Sequence, residues 1–369
     1  MTLAYGSTAA SLRSENAGVC DTSTSMRLND SPDRVKVPVP AAGDLVRGRM
    51  GFGDFEVTVC SDGTYLLDGG AMFGVVPKTL WQKRMPADEL NRIQLGLNTV
   101  VVRTGAHTVL IETGVGNKQT AKMREIQGNQ ELLPASLEVA GIRPEEVDIV
   151  VNTHLHFDHC GWNTTLRADG SVTPTFPNAR YFAALGEAEH GRLQLERDAV
   201  SYLAPNYEPL IASGQMTLLS RERIESGPEI CPGVSVEMFP GHTASMLGVH
   251  LETRALGGAV RHACYIGDLL PTSAHLDPTW CMGYDLDPLM VIEQRKRFYQ
   301  RAIPEGWLVL FPHDHEVPAA YLEWNERGRP VVAGATQATL PPVPICKVSE
   351  MNMLEKRLAA KSSKDWGYG

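Results

Sequence analysis

The chain predicts a single layered domain of strands and helices, because apolar runs of strand length alternate with helical patterns between its two polar ends. Two further observations point the same way. Metal-ligand candidates stand just past the ends of several runs, and no repeat period divides the chain. With 369 residues, 43% hydrophobic and 21% charged, the composition is that of a soluble globular protein. The length exceeds one average domain but suits one layered domain with insertions, and a second domain is not demanded.

Taken in order, residues 1–47 are rich in Ser, Thr, Asn, Asp and Pro, lack an apolar run, and are expected to form a disordered extension. Ala17-Gly18-Val19-Cys20 is a poor lipoprotein cleavage site, since no hydrophobic segment precedes it and Val19 is wrong for its position, so secretion is not expected. Strands are expected over Phe55 to Cys60, Thr99 to Arg103, Thr108 to Glu112 and Val147 to Val151. Helices are expected around Lys118 to Ile126 and Pro134 to Ala140. The second half continues with strands near Arg180 to Ala183, Met216 to Leu219, Val234 to Phe239, Met246 to Leu251, Ala263 to Ile266 and Leu308 to Phe311. Asp287 to Ile303 reads as the best-defined helix, with Pro288 just inside its start. Its basic cluster Arg295-Lys296-Arg297 reads as a solvated face. The domain is expected to span residues 48–348, with residues 349–369 expected as a C-terminal tail that forms a short, fraying helix.

Composition excludes several functions. No stretch approaches the ~18 apolar residues of a membrane span. A net charge of −9 offers no global positive field for nucleic acid. Seven scattered cysteines, an odd number without paired spacing, do not read as a disulfide framework, and a reducing cytoplasm fits them best.

The chemistry is concentrated in His154-Leu155-His156-Phe157-Asp158-His159, directly after the apolar run Val147 to Val151. A chain leaving a strand in extended form points residues i and i+2 to one side, so His154 and His156 can reach one ion while Asp158 and His159 face a second. Gly161 permits close backbone approach just beyond, and Trp162-Asn163 open or flank a short helix. Cys160 reads as a small packed thiol. Three more candidates follow expected strands: His242 in Pro240-Gly241-His242-Thr243, Asp268 after Gly267, and His313 after Pro312. Asp268 is a carboxylate able to bridge two cations.

In the order of these blocks the chain resembles the metallo-β-lactamase-fold hydrolases. The resemblance implies an α+β fold, an αββα sandwich with two sheets face to face, helices outside and the metals at one edge. It implies one metal on His154, His156 and His242, a second on Asp158, His159 and His313, and Asp268 between them. Two divalent ions bridged in this way lower the pKa of a shared water from about 15.7 toward ~7 and supply hydroxide for hydrolysis. Asp158 would carry a proton to the leaving group. Relatives of this fold that use di-iron to reduce oxygen typically have a glutamate where this chain has His156, which makes zinc the expected metal.

For substrate, Asp68 to Trp81 resembles the N-terminal loop of YtnP-like quorum-quenching lactonases, which open N-acyl-homoserine lactones; Thr153 to Gly161 and Gly267 to Leu276 add to the likeness. The resemblance implies that Met72, Phe73, Val75 and Trp81 line an apolar acyl-chain pocket. Several such lactonases place a substrate-contacting tyrosine three residues after the bridging aspartate. Pro271 stands there in this chain, leaving Tyr284 or His275 to replace it. The family's Asp-Thr-Gly is Glu112-Thr113-Gly114 here, which shifts a supporting hydrogen bond. The expected function is therefore a dinuclear lactonase, with a homodimer expected by family likeness. An organophosphate triesterase or another ester or thioester hydrolase is the alternative, and a non-catalytic lactone binder a remote one.

Overall fold

The computed structural model describes residues 44–333 apart from residue 256. Most of the expected extension and the whole tail from residue 349 lie outside the described residues. Among those described are two seven-stranded sheets and one two-stranded sheet. The first large sheet runs β1 (Val46–Phe52), β2 (Phe55–Asp68), β3 (Arg92–Arg103), β4 (Thr108–Ile111), β5 (Ile149–Val151), β8 (Arg180–Ala184), β9 (Met216–Leu219), with the small pair β6 (Thr164–Leu166) and β7 (Val172–Pro174) set aside. The second runs in chain order through β10 (Glu229–Cys231), β11 (Val234–Met238), β12 (Leu247–Arg254), β13 (Val260–Tyr265), β14 (Leu308–Leu310), β15 (Ala319–Trp324) and β16 (Pro330–Val332).

The side-chain alternation of the strands assigns their faces. Val100, Val102, Val109, Ile111, Ile149 and Val151 of the first sheet meet Val234, Val236, Leu247, Val249, Leu251, Ala263, Tyr265, Leu308 and Leu310 of the second in one core. The residues between them point the other way. Val101, Leu110 and Val150 pack under α4 (Leu133–Ala140), α6 (Leu185–Leu193) and α7 (Glu208–Ala212), while Cys264 and Val309 pack under α9 (Pro288–Ala302). This is the αββα sandwich. The remaining short helices are α1 (Gly69–Phe73), α2 (Lys78–Trp81), α3 (Ala121–Gln127), α5 (Phe157–Cys160) and α8 (Arg221–Glu225).

Sequence expectation and structure differ where hydrophobic patterning is broken. Val46 and Arg47, expected in the extension, begin β1, whose two glycines and two arginines hide it from an apolar-run reading. Arg47 is buried and donates to the His315 carbonyl. Strand β2 continues past Cys60 to Asp68 because a bulge absorbs one extra residue: Ser61 faces Asn98 while Thr64 faces Gly96. Arg295 is a correction. It is fully buried, not solvated, and donates to the carbonyls of Leu269 (2.7 Å) and Trp280 (2.9 Å), clamping the loop after Asp268. Asp287 caps α9 by accepting from Met290 N.

The pairing pattern positions the site. Strands β4, β5, β8 and β9 are parallel neighbours, as are β13 and β14, so their C-terminal ends gather along one edge of the sandwich. The bulge in β2 turns Asp62 into the protein beside that edge. Its Oδ1 accepts from Leu133 N (2.6 Å) and Trp162 Nε1 (2.9 Å), and its Oδ2 from Val115 N (2.8 Å). One buried carboxylate thus joins β2, the loop after β4, the start of α4 and the turn after α5. Burial pushes its pKa up to about 7 against the pull of these donors.

We expect Asp62→Asn to cost about 1–3 kcal/mol, because an amide NH2 meets buried N–H donors; denaturant unfolding of the metal-free protein measures this. The folded pKa lies above the unfolded value near 3.8, so the stability tied to Asp62 is complete below that value and is lost as pH rises toward about 7. The substitution should flatten that part of the stability curve, and an unchanged slope would remove Asp62 as its source.

Candidate metal centre and active site

Strand β5 ends at Val151, the chain bends at Thr153 and His154, and His156, with φ of −65° and ψ of 151°, is the N-cap of α5. The expected extended exit from the strand is thus replaced by a bend that still brings the His154 and His156 rings together, while Asp158 and His159 enter from the first turn of α5. The tight return is made possible by Gly161, where a Cβ would overlap the Val115 carbonyl. His242 follows β11, Asp268 follows β13 and His313 follows β14.

These seven side chains converge. His154, His156 and His242 form one buried group whose ligating atoms lie within 4.8 Å of one another, and Asp158, His159 and His313 form another. In the first, His154 Nε2 and His242 Nε2 stand 3.1 Å and 3.2 Å from His156 Nδ1. In the second, His159 Nε2 and His313 Nε2 are 3.1 Å apart, with Asp158 Oδ2 at 3.8 Å and 3.7 Å from them. Asp268 lies between the groups: its Oδ1 is 3.2 Å from His313 Nε2 and 3.5 Å from His159 Nε2, and its Oδ2 is 3.4 Å from His242 Nε2.

Neighbouring residues set which nitrogen is free. The Thr153 hydroxyl gives its proton to Glu112 Oε1 and so accepts from His154 Nδ1 at 3.0 Å, leaving the Nε2 lone pair facing the group. His242 Nδ1 donates to Asp285 Oδ1 (2.9 Å) and His313 Nδ1 to the Gly96 carbonyl (3.0 Å), with the same result. Burial, together with nearby histidines, holds His154 and His156 well below the usual imidazole range. Burial would also depress His159 and His242, but Asp268 chiefly outweighs it and raises both. Asp268 is held well below the usual carboxylate range by His313, His159 and His242 despite its burial.

Converging lone pairs repel unless a cation lies among them. Asp268 Oδ1 and His156 Nε2 are buried without a hydrogen-bond partner, and the Asp268 oxygen faces the gap between the groups. Imidazole nitrogens with carboxylate oxygens suit divalent transition ions.

The chain matches the metallo-beta-lactamase superfamily over residues 93–318, more than half its length. It belongs to that superfamily. It is thus a hydrolase of a fold built around divalent metal ions, and the donor set above fits them. The N-acyl homoserine lactonase AiiB of Agrobacterium fabrum is 29% identical over 234 residues, covering 61% of this chain and 78% of that protein. Among solved structures, a probable metal-dependent hydrolase from Staphylococcus aureus superposes with a TM-score of 0.67 at 26% identity, over 79% of this chain and 100% of the other. AidC, a dizinc quorum-quenching lactonase, shares the fold with a TM-score of 0.64 at 17% identity, over 80% and 100%.

Of the residues expected to line the acyl chain, Met72, Phe73 and Trp81 are buried in one apolar cluster with Ile93, Leu95, Met282 and Phe157 of the ligand segment. The cause is local: Asp68 caps α1, and α1 and α2 then pack their apolar sides inward. Phe73 stacks on Trp81 (5.3 Å between centroids) and on His275 (4.5 Å). Val75 is 94% exposed. His275 spends both ring nitrogens, on Thr272 Oγ1 and the Met72 carbonyl, and burial lowers its pKa to about 3. Tyr284 is 40% exposed and adjoins Asp285; burial and then the charges of Asp68 and Asp158 push its phenol up. Cys160 is a buried thiol donating to the Leu155 carbonyl.

Sequence reading placed Glu112 among the supports but missed Asp285 and Glu187. Asp285 stands 43 residues after His242 with no motif of its own. Glu187 is buried where it accepts from Leu155 N (3.2 Å), Thr243 Oγ1 (2.5 Å) and the Tyr202 hydroxyl (3.2 Å), tying together the loops of His154, His156 and His242. Glu112 at φ +63° takes a left-handed backbone that costs a non-glycine residue about 1–2 kcal/mol. That backbone aims its carboxylate at Thr153 and Asn152.

Asp285→Asn should weaken metal affinity about 10- to 100-fold, because an amide no longer holds the His242 Nδ1 proton as a carboxylate does. Competition with a chromophoric chelator reads this directly, and wild-type affinity would show that Asp285 does not orient His242.

Proposed function

We propose that the chain is a dinuclear zinc lactonase that opens the ring of N-acyl-homoserine lactones. In this reading His154, His156 and His242 would hold one ion, Asp158, His159 and His313 would hold the other, and Asp268, set between the two groups, would serve both. The observation that carries it is the division of Asp268 between two donor groups: one oxygen faces His242 and the other faces His159 and His313. The lactonase name of the Agrobacterium fabrum relative, matched over 78% of its length, supports the substrate class.

Ions so held supply Lewis acidity, polarising a carbonyl and bringing the pKa of water from about 15.7 toward ~7. The chain's own residues do the rest. Asp268 fixes the spacing of the two groups, while Thr153, Asp285 and the Gly96 carbonyl keep three imidazoles in the tautomer that faces inward. Asp158 is more exposed than the other donors, with 11% of its side chain accessible, and in this reading would take the proton that the attacking water gives up and pass it to the ring-opened alkoxide. Tyr284, half-exposed beside Asp285, offers an aromatic surface to the substrate. Action in a reducing cytoplasm is supported by free cysteines at 60, 160, 231, 264 and 281. No helix among the described residues is long and apolar enough to cross a membrane.

Zinc-loaded protein should open a long-chain acyl-homoserine lactone, followed by chromatography. Turnover should vanish on chelation, return with zinc, and be abolished by Asp268→Ala without loss of fold. Turnover of a phosphotriester but not of lactones would transfer the assignment to organophosphates, and lactone binding without product would make the chain a binder.

A further inference from the structure

We propose that Tyr65 is a positioning residue for one half of the donor set: its hydroxyl holds Asp158 and thereby sets the affinity of the Asp158–His159–His313 site alone. The inference rests on the two-site reading above. Tyr65 lies just after the β2 bulge, where the extra residue between Ser61 and Thr64 resets which side chains face the metal edge. It is buried, and its ring packs with Ile93, Leu95, Leu97 and Phe157. A phenylalanine would fill that apolar space equally well. A buried phenol carries a desolvation cost unless its hydroxyl is bonded, so the hydroxyl needs its own explanation.

That explanation is Asp158. Tyr65 Oη donates to Asp158 Oδ2 at 2.7 Å, the same oxygen that faces His159 Nε2 and His313 Nε2. Both histidine distances, 3.8 Å and 3.7 Å, are too long for hydrogen bonds. The phenol therefore makes the one hydrogen bond to the Asp158 carboxylate among the described residues. Tyr65 Oη also lies 3.4 Å from His313 Nδ1, whose shorter partner is the Gly96 carbonyl at 3.0 Å, and the two rings sit 5.6 Å apart. Tyr65 thus touches two of the three donors of one group. The other group is supported from elsewhere, by Thr153, Asp285 and Glu187. Without the hydroxyl, Asp158 is free to rotate about its side-chain bonds, and ordering it again falls on the metal.

The test uses the full chain, stripped of metal and titrated with zinc against a chromophoric chelator, then with cobalt while its visible absorption is recorded. Wild type should bind two ions. Tyr65→Phe should bind one ion with unchanged affinity and the other about 10- to 100-fold more weakly, with an altered cobalt spectrum for that weakened ion only. Its metal-free melting temperature should stay near wild type, and excess metal should recover kcat. Two wild-type affinities in Tyr65→Phe would overturn the proposal. So would equal weakening of both sites with a lowered metal-free melting temperature, which marks a role in packing alone. A wild-type protein that binds only one ion would instead sink the two-site reading, and the Tyr65 assignment with it.

Discussion

The donor geometry depends on a short backbone joint between the two sheets. Gly96 N donates to the His313 carbonyl (2.9 Å), Asn98 N to the Pro312 carbonyl (2.8 Å), and His313 Nδ1 returns to the Gly96 carbonyl. Strand β3 of the first sheet thereby holds the loop that ends β14 of the second. The Asn98 side chain bonds the Phe311 and Asp314 carbonyls, and the Tyr265 hydroxyl bonds the Asn98 carbonyl, so the joint is tied from both sides. Hydrophobic faces alone would let two sheets slide by a fraction of a residue, because burial is not directional. Hydrogen bonds do not allow that, and a metal centre whose donors come from both sheets requires such a lock.

The site is expensive to fold. Five imidazoles and two carboxylates meet in a largely buried space where lone pairs face one another, and an unpaired buried polar group carries a cost. The surroundings offset part of that cost with directed bonds: Glu112 under Thr153, Asp285 under His242, Glu187 across three loops. The remainder, including the unbonded Asp268 Oδ1, is the part a cation satisfies. The same logic covers Asp62, a buried carboxylate whose donors are all backbone or indole N–H and which shapes the edge without entering it.

Much of this was legible from the sequence, unevenly. Strands with clean apolar runs, such as Met216–Leu219, were read to the residue, and α9 to within its caps. Strand β1 and the far half of β2 were not, since glycines, arginines and a bulge interrupt their pattern. The packing of Met72, Phe73 and Trp81 was illegible for a different reason. A short apolar loop looks alike however it packs, and the cap at Asp68 and the stack on His275 have no sequence pattern of their own. Arg295 looked solvated within a basic cluster because helical phase alone does not reveal that carbonyls of a distant loop wait beneath it.

The donor set is local chemistry repeated at strand ends. The segment His154 to His159 sets four donors within six residues of a strand end, and the order of His242, Asp268 and His313 carries the superfamily likeness. Those features the sequence determined by itself, because covalent spacing and strand periodicity act over a few residues. The partners that orient each donor were decided only by the fold. Tyr65 reaches Asp158 across 93 positions of chain and Asp285 reaches His242 across 43. A single hydroxyl or carboxylate has no periodicity to betray it, and its role exists only when two sheets bring distant segments within 3 Å.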